Sequence, residues 1–130
     1  HGNPTLENMM YSFEKNKVML IDPYEESCID SQALDYSQVL QCSRSYYGYI
    51  NDKKVIVDNN SVEFVENIPI NFKIFNNLFE LKISTEDKIF VDVLEATQFI
   101  RMLPFKCAAG DFDKAKFFYV HACHLLSKIF

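Results

Sequence analysis

Apolar and polar residues alternate along the first two-thirds of the chain and fall at helical spacing in the last third. Two apolar runs, 9–13 and 18–21, flank the polar turn 14–17 and predict a hairpin closed by Asp22-Pro23. Residues 30–42 fit a short helix, with Ala33, Tyr36 and Leu40 on one face and Asp30 or Ser31 as N-cap. Val39-Leu40 followed by Cys42 also fits a strand, and the helix is the preferred reading. Residues 46–50 and 55–57 read as strands around the turn 51–54, and the turn 58–61 leads into a strand at 62–65. The sharpest hairpin signal is 70–83 around Asn76-Asn77, since Asn tolerates the positive φ of a two-residue loop. Ile70, Phe72, Ile74, Phe79, Leu81 and Ile83 then share one face, Lys73 stands opposite Glu80, and Phe75 and Leu78 close the loop end. Residues 88–91 fit a last short strand better than a first helical turn.

From there the spacing changes. Asp92 and Glu95 form a capping pair for a helix over 93–103, carrying Val93, Ala96, Ile100 and Leu103 on one stripe and ended by Pro104. A second helix starts at Asp111 or Asp113 and runs almost to Phe130, with Ala115, Phe118, Ala122, Leu125 and Ile129 in line. The expected fold is therefore α+β: an antiparallel meandering sheet of about 6–8 short strands packed against a C-terminal antiparallel helical hairpin. A flexible segment 1–8 precedes a single domain 9–130, with the sheet in 9–91 and the hairpin in 92–130. Gly110, Phe112, Ala115, Tyr119 and Ala122 stand at offsets that resemble the later half of a tetratricopeptide repeat. With no second copy about 34 residues away, a repeat array is not expected.

Charge narrows the partners. The net charge is −5, and Lys53-Lys54 is the single adjacent basic pair, so neither nucleic acid nor an anionic membrane surface is an expected partner. The longest apolar runs, 18–21 and 117–120, are far shorter than the ~20 residues of a spanning helix, so no membrane insertion is expected. No charged segment followed by an apolar one opens the sequence, so no signal peptide is expected. The excess of Lys (11) over Arg (2), with abundant Asn, Ile and Phe, suggests an AT-rich genome. Cys28, Cys42, Cys107 and Cys123 allow three pairings; with this apolar content staples are not required, and free thiols in an intracellular, reducing compartment are the preferred reading. The sequon Asn59-Asn60-Ser61 keeps secretion open.

Candidate chemistry is sparse. Cys107, His121, Cys123 and His124 invite a zinc reading, but His121 and Cys123 point ~160° apart around a helix and no Cys-x-x-Cys pair is present. No metal and no cofactor is expected. Glu25-Glu26 and Glu86-Asp87 fall in polar loops as solvated surface. No phosphate loop, nucleophile elbow or His-Glu-x-x-His helix appears, so no catalytic residue is assigned. Apolar surplus points elsewhere: with the main stripes turned inward, Phe117 and Val120 on the second helix and Leu94 and Met102 on the first remain outside. The expected function is a non-enzymatic protein–protein interaction or assembly module. It would meet another protein, or a second copy, through those four residues or a sheet edge. One alternative is a binder of a small apolar ligand held between sheet and hairpin by Phe64, Phe72, Phe79 and Phe118; another is a thiol-dependent enzyme.

Overall fold

A computed structural model describes residues 1–24, 29–52, 55–58, 61–64 and 68–130 of the chain. Glu25-Glu26, Cys28, Lys53-Lys54, Asn59-Asn60 of the sequon and Val65 lie outside the described residues. The described residues are mostly helical (60%). A single 3-10 turn, Leu6–Asn8, leads into strands β1 (Met9–Ser12) and β2 (Lys17–Leu20). Helices α1 (Gln32–Ser43) and α2 (Tyr47–Asp52) follow, then strands β3 (Val55–Val57) and β4 (Val62–Phe64). Helices α3 (Ile70–Glu80), α4 (Thr85–Ala108) and α5 (Phe112–Leu126) complete the order.

The meandering sheet is not formed. Among the described residues the strands make two separate antiparallel pairs, β1–β2 with Met9 opposite Leu20 and β3–β4 with Val55 opposite Phe64. Residues 47–50 and 88–91, read as strands, are helical, as are Asn51 and Asp52 of the expected turn. The segment expected to be the strongest hairpin is α3, with Asn76-Asn77 in mid-helix. Its apolar residues satisfy both periods, because at ~100° per residue they also sweep a continuous arc of roughly 200°. Tertiary contacts decide between them. Asn76 and Glu80 stand one turn apart on a helix and together reach α1, where Ser43 Oγ meets Asn76 Oδ1 at 3.4 Å and Arg44 donates to Glu80 at 3.2 Å. Phe75 and Phe79, also four apart, stack at 5.8 Å.

The remaining helices follow local signals. Ser31 caps α1, its hydroxyl accepting from the Ala33 amide at 3.2 Å. Helix α4 begins earlier than Asp92: Ser84 is its N-cap and accepts from the Asp87 amide at 3.1 Å. Nor does Pro104 end it. Pro104 cannot donate to the carbonyl of Ile100, yet both residues are exposed and α4 runs on to Ala108. It stops at Gly110, whose φ of 73° suits the left-handed position. There the amides of Gly110 and Asp111 close on the carbonyls of Cys107 and Lys106. Asp111 then caps α5.

Two clusters form the core. The larger packs Ala96 and Phe99 of α4 against Phe117, Phe118, Ala122 and Leu125 of α5, with Ile50 and Val55 closing one side. The smaller packs Ala33, Leu34 and Leu40 of α1 on Val91 and Leu94 of α4. The first residues, expected to fray, lie on α1: Pro4 is buried and the Gly2 amide donates to Asp35 at 2.8 Å.

Candidate functional site

An 11-residue helix with six large apolar side chains would ordinarily turn them to the core, yet α3 has no buried residue. It is amphipathic, but only one edge of its apolar arc is turned to the body. Its inner side carries Phe72, Asn76, Phe79 and Glu80, all half-buried. Its outer side carries Ile70, Ile74 and Leu78, which are 64%, 53% and 61% exposed. Leu81, just past the helix, continues the exposed apolar surface. Contact with the body rests on aromatic edges: Tyr36 on Phe79 at 5.6 Å and Tyr49 on Phe72 at 5.4 Å.

The polar inner edge is held by a half-buried ion cluster. Arg44, at the end of α1, donates Nε to Glu95 at 2.9 Å, Nη1 to Glu80 at 3.2 Å and Nη2 to Asp92 at 2.6 Å, and Nη2 also meets Glu95. Glu95 is fully buried, and its second oxygen accepts from the Ser45 hydroxyl at 2.6 Å. Burial pushes the Glu95 carboxyl above its ordinary range, while the Arg44 charge and hydrogen bonds pull it back. Burial works against the Arg44 charge too, but Glu95 and Asp92 outweigh it and raise the guanidinium further. One arginine thus ties α1, α3 and α4 together and turns the polar edge of α3 inward. Asp92 and Glu95, expected as a helix cap, serve this cluster instead.

The four residues expected to anchor a partner divide. Phe117 (5% exposed) and Leu94 (6% exposed) are core residues and are withdrawn as contacts. Helix α5 is covered by α4 on one side and by β3–β4 on another, so it needs two apolar faces, and Phe117 serves the second. Leu94 is covered by α1. Met102 is half-buried against the larger cluster, and Val120 alone of the four is exposed, at 38%. Of the aromatics expected to line a ligand cavity, Phe118 is sealed in the core and Phe79 packs on the smaller cluster. The side chain of Phe64 lies outside the described residues. The sequence signal for the outer face of α3 was present in Ile70, Ile74 and Leu78 at i, i+4, i+8, but alternation at period two masked it.

Other chemistry is limited. Cys42, Cys107 and Cys123 are free thiols. Burial pushes the Cys42 thiol up to about 11, away from the thiolate a nucleophile needs. His121 lies against Phe99 at 4.8 Å, and its buried Nε2 has no hydrogen-bond partner among the described residues. Burial, then His124, Lys128 and Arg44, lowers it to about 4. A cavity of about 190 Å³ opens beside it, lined by Arg44, Asp92, His124 and Lys128 among others. Among the described residues, no three His, Cys, Asp or Glu side chains gather to hold a metal ion. None of the described helices is long and apolar enough to cross a membrane. Compared with protein-family models, curated proteins and solved structures, the chain matches none.

Proposed function

We propose that this chain is a non-enzymatic assembly module whose outer α3 face docks against a second copy of itself. The observation that carries this is the exposed stripe: a lone molecule would keep Ile70, Ile74 and Leu78 in water while Phe72, Asn76, Phe79 and Glu80 are turned inward. The stripe is self-complementary. A two-fold axis through Ile74 sets Ile70 against Leu78 of the second copy and Asn71 against Asn77, pairing apolar with apolar and amide with amide. An i, i+4, i+8 ridge packs on its twin at about −50°, the commonest crossing of globular helices. The free thiols of Cys42, Cys107 and Cys123 fit a reducing, intracellular setting.

Sedimentation equilibrium across a hundredfold range of concentration tests this reading. The expected result is a concentration-dependent dimer, and an Ile74→Glu chain that stays monomeric with an unchanged far-UV spectrum. A wild-type chain that remains monomeric throughout, or an Ile74→Glu chain that dimerises as well as wild type, overturns it.

A further inference from the structure

We infer that the pocket between the Leu6–Asn8 turn, α1, α2 and the inner edge of α3 binds a small molecule bearing a quaternary or alkylated ammonium group. The pocket measures about 330 Å³, within the range of small-ligand sites. Tyr49 and Phe72 line it, and their rings meet at 5.4 Å with planes 82° apart, so the two stand as perpendicular walls of one corner. Glu7 and Asp52 line it as well, and neither has an ion-pair partner among the described residues. Lys106 and Lys114 reach the neighbouring Asn51, through its side-chain oxygen and its backbone carbonyl respectively.

Aromatic walls and unpaired carboxylates around an apolar space suit one ligand class in particular. An alkylated ammonium spreads its charge over methyl groups that pack on ring faces, and it does not demand the directed acceptors a primary ammonium needs. Leu6 and Cys42 complete the lining, and beside Gly48 the space is open: a Cβ added there would meet only Glu7 Oε1, at 3.7 Å. The local field has the matching sign. Burial raises the hydroxyl of Tyr47, and Glu7 and Asp52 add to that rise, with Arg101 opposing it; Glu7 likewise adds to the rise at Cys42. Phe72 faces inward, away from the proposed docking stripe, so this inference does not depend on the dimer.

The full chain, labelled with ¹⁵N, would be titrated with choline and, in parallel, with its neutral isostere 3,3-dimethyl-1-butanol at matched ionic strength. Expected are saturable shifts centred on the amides of Glu7, Gly48 and Tyr49 with choline, and at least about tenfold weaker binding of the alcohol. The double variant Glu7→Gln/Asp52→Asn, altering two exposed side chains, should keep the wild-type spectrum elsewhere and bind choline at least about tenfold more weakly. Tyr49→Leu should weaken choline more than the alcohol. Equal affinity for the two probes, unchanged choline affinity in the charge variant, or no shifts at these amides overturns the proposal.

Discussion

Helices α5 and α3 are built from similar residues and used in opposite ways. Helix α5 spends its apolar side chains on the core, burying Ala115, Phe117, Phe118, Ala122 and Leu125. Helix α3 buries none and holds the body through aromatic edges, the Ser43–Asn76 contact and an arginine. The difference shows that amphipathicity alone does not say which face a helix turns inward. A charged partner on a neighbouring element can outweigh the apolar arc, because a fully buried carboxylate such as Glu95 must keep its cation close and that cation recruits others.

Substitutions should separate the two helices cleanly. The largest loss is expected in the core: Phe118→Ala should cost about 3–5 kcal/mol in urea unfolding, since the ring is wholly buried. Next comes Arg44→Met, expected to cost about 3 kcal/mol by stranding Glu95. Adding Glu95→Leu should restore most of that loss, a recovery that a double-mutant cycle would detect. Third is acid. With His121 at about 4 in the folded protein and its ordinary 6.5 when unfolded, the unfolded chain takes up the proton first. Stability should therefore fall by on the order of 2 kcal/mol as pH drops from 6.5 to 4, and His121→Phe should flatten that part of the melting-temperature profile. A gain of about 1 kcal/mol is expected for Gln38→Leu, which removes a buried side-chain oxygen that lacks a partner among the described residues. Smallest of all, Ile74→Gln should leave unfolding of the dilute chain within about 0.5 kcal/mol of wild type, because the site is open to water. A loss at Ile74 as large as that at Phe118 would erase the contrast between the two helices.

Much of the helical body was legible in the sequence. The α4–α5 hairpin follows from stripes three and four apart, α1 from Ser31 and its apolar face, and the β1–β2 hairpin from its polar turn. What failed was local evidence standing in for tertiary evidence. Residues 70–83 obey both periods, and contacts from the distant Ser43 and Arg44 tell them apart. The start of α4 lay in Ser84-Thr85-Glu86-Asp87, a capping sequence read as a loop because the residues after it are β-branched and aromatic. Phe117 and Leu94 were misplaced for a related reason: a helix touched on two sides has no single outer face, and which elements touch it is not encoded in its own spacing.

If the outer face of α3 docks a second copy as proposed, this helix keeps recognition and folding in different side chains. Ile70, Ile74 and Leu78 can be exchanged without disturbing the arginine that seats the helix or the rings that brace it. Selection could retune who sits there, swapping self for stranger or salt-sensitive for salt-blind, while the scaffold beneath stays the same.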